Sequence, residues 1–542
     1  MKARLRLLAL LAAPLPVLAL GAPNAFADPT APASSARVAL NNEAVPAVSQ
    51  AAHTGALATG TKLSLEVSLA PRDEAGLDSF IAAVSNSASP LYKHYLTVPQ
   101  FAARYGATPA TIASVDSYLR SEGLTVGATT ANGLTISVSG TAAQVESAFG
   151  TSIDTYRDSA NRAFYANSAA PTLPASIASD IDGIAGLSDY AQHTHYTQTS
   201  NAISPNVTSD ITPTKARSAY NLTSDISSGY NGSGETVGLV EFSAYTASDV
   251  SEYNSKYSLG ASTPTVVKVD GGTTDKSGEV EDELDIEVVN ALAPKATVDV
   301  FEGPNSDAGE VALYAAIVSD DVPVVSSSWG EPETEEDNLS SDDADFKEAA
   351  AQGQSIYAAS GDDGADDNGS SLSVDYPASD PDVSGAGGTD LTLTSSGAWS
   401  KETGWSDSGG GVSVEWPTPS YQTSVNSSGS REVPDVSADA DPSSGWYIYT
   451  EGGNEEVGGT SAAAPNWAAF TADYDTAAAS LGKAKFGFAN AEIYSVAESS
   501  SYSSAFHDIT SGNNGGYSAK TGYDEVTGWG SYNGGNFISD EL

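Results

Sequence analysis

Cysteine is absent from this 542-residue chain, which excludes disulfide bonds, a thiol nucleophile and thiolate metal sites together. What stabilises the folded protein is then core packing, with a bound ion as the one further device. Basic residues are scarce as well: 23 Lys and Arg stand against 70 Asp and Glu, a formal charge of −47. Such a field repels phosphate backbones and anionic membrane surfaces at neutral pH, so neither nucleic acid nor membrane is expected as a partner. Acid would protonate carboxylates and relieve the self-repulsion; the charge alone fits a solubilising surface and an acidic habitat equally. Long apolar runs are missing beyond the N-terminus, and the one at Leu7–Leu20 is too short for a confident membrane span. It follows Lys2, Arg4 and Arg6 and precedes Ala25-Phe26-Ala27, the layout of a secretory signal peptide over residues 1–27. The mature protein is therefore expected to be secreted and extracellular.

The chain is too long for one ordinary core. Residues 28–60, rich in Ala, Pro and Ser and without periodicity, read as a flexible N-terminal segment. Alternation over Lys62–Leu69 predicts a strand, and helical spacing predicts helices over Glu74–Val84, Pro109–Leu119 and Ala142–Phe149. With LTISVSG and SIDTYR as further strands, residues 61–187 form a compact α+β unit. Residues 188–212 are polar and unpatterned, a linker in which proteolysis is easiest. From 213 to 542, β-branched runs such as TVGLVEF, ATVDVFEG, VPVVSSSWG and QSIYAASGD alternate with helical segments. That pattern predicts an α/β domain with a doubly wound parallel sheet and active residues just past the strand C-termini.

The segment GGTSAAAPNWAAF carries the first chemical signal. Gly458 and Gly459 permit a close backbone approach, and the small residues let a helix start directly behind Ser461, where the dipole favours developing negative charge. A plain helix cap explains an isolated TSA; GTSxxxP with flanking glycines resembles the nucleophile segment of the subtilase clan. A serine nucleophile needs a base. Of the five histidines, His53 lies in the flexible segment, His94 in the α+β unit, His193 and His195 in the linker. His507 alone falls in the last domain, in no subtilase histidine motif. Either the domain is no hydrolase or its base is a carboxylate.

On a helix, EVEDELDIEVVNALAP gathers Leu284, Val288, Val289, Ala291 and Leu292 into one apolar stripe with Glu281 at its centre and Asp285 inside it, and puts Glu283, Glu287 and Asn290 on the opposite, solvated face. A merely acidic helix surface explains the second set and not the first. Two like charges about 4 Å apart repel by roughly 4 kcal/mol at an effective dielectric of about 20, so the pair holds one proton between them over a wide pH range. Such a pair can take the Ser461 proton through Glu281 while Asp285 orients it. Asp362, at the end of QSIYAASGD, stands where an oxyanion donor is needed; protonated it donates, ionised it repels. A turn aspartate in SGDDG is the equal alternative.

With ExxxD, SGD and GGTSAAAP in this order, the chain resembles the sedolisin (serine-carboxyl peptidase) family and is similar to the pro-kumamolisins over nearly its whole length. SSSWG, YPASDPDVSGAGGT, SGGGVSVEWPTPSYQ, VPDVSADADP and the N-terminal SPLYKHYLTVPQFAARYG support the match. The resemblance implies a subtilisin-like catalytic domain preceded by a ferredoxin-like activation prodomain, an intramolecular folding aid and inhibitor removed by acid self-processing. It implies that Glu241 and Trp329 extend a hydrogen-bonded chain from Glu281. It also implies one structural Ca²⁺ in FHDITSGNNGGYSAKTGYDEVTGWG, held by the carboxylates of Asp508 and Asp524 and the carbonyls of Ile509, Lys520 and Gly522. Lys520 stands where the family often has glycine, and its ammonium weakens the site if it stays close; a metal-free glycine-rich loop is the alternative.

The expectation is a secreted zymogen whose product is an acid endopeptidase, cleaving proteins or peptides through an acyl-enzyme on Ser461. Two rivals stand beside it: a serine esterase or other acyl hydrolase on the same scaffold, and a catalytically silent secreted binding protein.

Overall fold

Alternation in KLSLEVSL turns Leu63, Leu65, Val67 and Leu69 inward along β1 (Lys62–Leu69), the central strand of the N-terminal unit. After it come α1 (Glu74–Ser85), α2 (Pro109–Ser121), β2 (Thr125–Thr129), β3 (Thr135–Thr141), α3 (Ala142–Phe149) and β4 (Ile181–Ala185). The sheet runs β2-β3-β1-β4, antiparallel throughout. First and third strands pair at its centre and the last lies outside the first, which is the ferredoxin-like order. In this computed structural model residues 36–40, 46–195, 197–199, 211–336 and 338–542 are described. Residues 1–27, expected to be a signal peptide, lie outside them. Part of the stretch expected to be flexible is ordered: Arg37–Ala39 pairs with Thr172–Pro174, and Ala52–Ala56 pairs with Ile153–Arg157. These strands are short and built from small or polar residues, so their partners, not their own patterns, define them.

The linker also differs from expectation. Thr194–His195 (β5) and Gln198–Thr199 (β6) are strands that pair with the catalytic domain, while residues 200–210 lie outside the described ones.

The C-terminal domain is built on β7 (Thr236–Glu241), β8 (Thr265–Lys268), β9 (Thr297–Glu302), β10 (Val324–Ser327), β12 (Ser355–Ala359), β13 (Ser384–Leu393), β14 (Trp399–Gly404) and β15 (Val436–Asp439), with β11 (Trp329–Pro332) outside the sheet. The order is β8-β9-β7-β10-β12-β13-β14, with β15 also on β13, and only the β13–β14 pairing is antiparallel. Its helices include α4 (Glu279–Leu292), α5 (Asp307–Ser319), α6 (Leu339–Gln352) and α7 (Thr460–Leu481), and the hairpin β16 (Trp446–Thr450) and β17 (Gly453–Gly458) leads into α7. Helix α7 crosses the core: Trp467, Phe470 and Ala463 are fully buried, and the Trp467 indole donates to the Ser437 carbonyl at 2.9 Å. Among the described residues no helix is long and apolar enough to cross a membrane.

The N-terminal unit docks on α5 and α6. One apolar cluster joins Leu77, Phe80 and Tyr105 to Ala344, Ala350, Ala351 and Phe488, and Asn132 Nδ2 donates to Glu348 Oε2 at 2.6 Å. Removing the largest side chain of the α7 core leaves a cavity and an unpaired carbonyl. Trp467→Ala is expected to cost about 3–5 kcal/mol, read as a lower urea midpoint with an unchanged slope.

Candidate active site

The acidic helix α4 is enclosed on every side. Helix α7 covers one face, while the helix Ala247–Tyr257 and strand β16 cover another. Glu281 and Asp285 are fully buried, as the apolar stripe predicts. The expected solvated face is not there: Glu283 and Glu287 are buried too, as is Asn290. Glu283 Oε1 accepts from the Thr246 amide and Glu287 Oε2 from the Tyr449 amide, each at 2.9 Å. A helical projection sees only neighbours within the helix; the segments that cap this face come from distant sequence.

Ser461, in the first turn of α7, donates its Oγ hydrogen to Glu281 Oε2 at 2.8 Å. The Glu281 and Asp285 carboxyls hydrogen-bond each other. Two carboxylates offer no donor, so this contact contains a proton. Ser328 Oγ donates to Asp285 Oδ1 at 2.9 Å and lies 3.2 Å from the Ser461 carbonyl. The reason for the second contact is Pro465, four residues on, whose missing N–H leaves that carbonyl without its helical donor. Gly459, at φ 116°, takes the left-handed backbone that points the chain into this turn, a conformation a side chain would strain.

Asp362 follows the end of β12, as expected of a residue past a strand C-terminus. Its Oδ1 accepts from the Thr460 amide and hydroxyl, both at 2.8 Å, and its Oδ2 is buried without a partner among the described residues. The second oxygen is thus free to carry a proton beside the nucleophile. Trp329 Nε1 donates to Glu241 Oε2 at 2.8 Å, and Glu241 in turn shares a hydrogen bond with Asp282. The described chain therefore runs Trp329–Glu241–Asp282 and reaches the helix one residue away from Glu281. Sequence reasoning missed Asp282 and Ser328, although both lie inside segments already singled out; neither has a pattern that sets it apart from acidic or serine-rich neighbours.

The linker lies across this constellation. His195 pairs with Trp329 on one side and Gln198 with Gly458 on the other. Between them Thr197 Oγ1 donates to Glu281 Oε2, the oxygen that also accepts from Ser461. His195 Nδ1 sits 3.8 Å from the same oxygen, its ring edge-on to Trp329. A histidine does reach Glu281, but from the linker.

Comparison with known proteins agrees with the geometry. Residues 49–190 match the family model described as Pro-kumamolisin, activation domain, and residues 269–530 match the Subtilase family model. Kumamolisin from Bacillus sp. (strain MN-32) is 32% identical, over 89% of this chain and 92% of its own. Sedolisin from Pseudomonas sp. (strain 101) is 31% identical, over 88% and 86%. The chain belongs to the sedolisin family. It is a serine-carboxyl peptidase with an activation prodomain. A solved structure of Pseudomonas sedolisin, a serine-carboxyl proteinase complexed with two molecules of pseudo-iodotyrostatin, aligns with a TM-score of 0.56 and 32% identity, over 61% of this chain and 97% of that one.

In this sedolisin-family chain the C-terminal segment folds around two carboxylates. Asp508 Oδ1 accepts from the Gly522 amide at 3.1 Å, and Asp524 Oδ2 from the Lys520 amide at 2.8 Å. The Lys520 ammonium is drawn away to Glu525, 3.2 Å off, with most of the lysine side chain exposed. Among the described residues no cationic side chain pairs with Asp508 or Asp524. A buried Asp524 and a half-buried Asp508, with no cationic partner among the described residues, offer hard oxygen ligands that fit a hard cation.

Burial pushes Glu281 up, and it pushes Asp285 and Asp362 well above the ordinary carboxylate range; the Glu241 charge adds to the rise at Asp285. Elsewhere burial lifts Asp182 to about 6, Asp475 to about 7 and, with Asp270 adding, Glu66 to about 8. Such groups bind a proton more tightly folded than unfolded, where carboxyls titrate near pH ~4. Their stabilisation is complete below that value and is lost as pH climbs through about 6 to about 8. The Ser461→Ala precursor is accordingly expected to melt higher near pH ~4 than near pH ~8; calorimetry showing the reverse order contradicts the assignment.

Proposed function

We propose that this peptidase is a secreted, acid-acting endopeptidase made as a self-processing zymogen. The observation that carries the reading is the 2.8 Å hydrogen bond from Ser461 Oγ to Glu281 Oε2, within a buried carboxyl pair. Glu281 takes the Ser461 proton as Oγ attacks the peptide carbonyl carbon, while the proton shared with Asp285 tempers the negative charge of the pair. The carbonyl oxygen becomes the oxyanion, and protonated Asp362 donates to it through Oδ2. As the C–N bond breaks, Glu281 returns its proton to the leaving amine, and the acyl group stays on Ser461. Water then repeats the sequence, giving its proton to Glu281 and its hydroxyl to the acyl carbon, and Ser461 recovers its hydrogen. An ionised Asp362 would repel the oxyanion, which is why acid is required. Trp329 and Glu241 act through Asp282 as positioning residues for the N-terminal turn of α4.

The extended pairing of His195 and Gln198 on both sides of Ser461 supports the linker, residues 188–212, as the first substrate and the prodomain as the tethered inhibitor. One structural Ca²⁺ is assigned to Asp508 and Asp524 with the carbonyls of Ile509, Lys520 and Gly522; it supplies charge neutralisation to the C-terminal loop. Export rests on the N-terminal 27 residues.

Purified precursor incubated in acid is expected to cut itself within the linker, as read by mass spectrometry, whereas Glu281→Gln stays full length. Ester turnover without cleavage of a denatured protein would replace this reading by an acyl hydrolase. In the mature enzyme Glu281→Gln is expected to lower kcat by about 10²–10⁴, and Asp362→Asn by about 10²–10³. Chelation of calcium is expected to lower the melting temperature, with recovery on adding Ca²⁺ but not Mg²⁺; no shift on chelation removes the ion from the assignment.

A further inference from the structure

One buried cluster has no part in this chemistry. His193 lies in the linker just before β5 and is 3% exposed. The catalytic domain grips it by its backbone: its amide donates to Asn305 Oδ1 at 3.0 Å, and Asn305 Nδ2 donates to its carbonyl at 2.9 Å. Its ring stacks on Phe242 with centroids 4.5 Å apart. The ring hydrogen-bonds the Ser306 backbone, and since Nε2 has no hydrogen-bond partner among the described residues, that bond is made by Nδ1. Nδ1–H donating to a carbonyl leaves the Nε2 lone pair bare. It faces Glu310 Oε2 at 3.4 Å, an oxygen that receives no hydrogen bond from the described residues. Glu336 adds a third ligand atom, and the three, all buried, lie within 4.8 Å of one another.

The structure assigns His193 Nε2 and the carboxylates of Glu310 and Glu336 to a zinc-class divalent cation site of the precursor, one that clasps the linker to the catalytic domain. Two ligands each about 2.1 Å from a tetrahedral zinc sit about 3.4 Å apart, the separation found between His193 and Glu310. An imidazole ligand disfavours Ca²⁺ and Mg²⁺, which take oxygen, and favours Zn²⁺ and its neighbours. A ligating histidine is normally oriented by its other nitrogen on a carbonyl or carboxylate, as Ser306 does here. The imidazole comes from the linker and the carboxylates from α5 and the segment before α6, so the set is complete only while the linker is held in the cleft. The inference does not depend on the peptidase mechanism, because it concerns the uncut chain.

The test uses the full-length Ser461→Ala precursor, stripped with chelator, refilled with calcium, equilibrated with Zn²⁺ near neutral pH and desalted. Elemental analysis is expected to find one zinc per chain. Adding His193→Gln or Glu310→Gln is expected to weaken zinc binding by more than the about 10–100-fold lost when outer partners of a ligand are removed. A parent that retains no zinc overturns the proposal, and so does undiminished zinc in variants that keep the parent's melting temperature in calcium alone. If the variants fold poorly, diffraction from zinc-soaked Ser461→Ala crystals at the zinc edge decides: an anomalous peak beside His193 Nε2 supports the site, and its absence there sinks it.

Discussion

Everything at this site depends on keeping carboxyl groups dry beside a hydroxyl. In water a glutamate is too weak a base to activate serine, and its neighbour would simply ionise. Enclosed between α7, the helix Ala247–Tyr257 and β16, Glu281 and Asp285 cannot both be charged, so they share a proton and aim the remaining lone pair at Ser461. The same desolvation pushes Asp362 well above the ordinary carboxylate range, which is what the proposed role as a donor to the oxyanion needs. One physical condition, burial, thus raises all three carboxyls together and underlies the roles of base, proton store and oxyanion donor proposed for them.

That condition has a structural price in buried acids. Asp282 and Glu241 share a hydrogen bond next to the catalytic turn, with the Trp329 indole satisfying one oxygen, while Glu283 and Glu287 are capped by backbone amides from elsewhere in the chain. Large apolar side chains around Trp467 supply the packing that makes such burial affordable without a single disulfide. In the precursor the linker completes the enclosure. Thr197 donates to the Glu281 oxygen that also accepts from Ser461, and the prodomain packs against α5 and α6.

Much of this was legible beforehand because local patterns carried it. KLSLEVSL alternates and forms β1 over those very residues; AAQVESAF has helical spacing and forms α3; the β-branched runs became the parallel strands. Glu281 and Asp285 were visible as carboxylates inside an apolar stripe, and Ser461 as a small-residue helix start. What escaped was set by contacts across long sequence separations. Glu283 and Glu287 look solvated until the segments around Thr246 and Tyr449 are brought over them. Ala52–Ala56 looks formless until Ile153–Arg157 lies beside it, and the linker looks idle until β11 and β17 pair with it.

The amino-acid sequence by itself determined which groups are present: a serine at a helix start, an acidic pair one turn apart, no histidine placed to serve them in their own domain, and no cysteine. Periodicity is a property of neighbours along the chain, and it was enough to say which of those groups turn inward. Only the tertiary structure decided how dry each acid is, which oxygen meets which hydroxyl, and that His193 and His195 come to lie against the catalytic domain. Desolvation is summed over everything that surrounds a group, and most of what surrounds these carboxyls is remote in sequence.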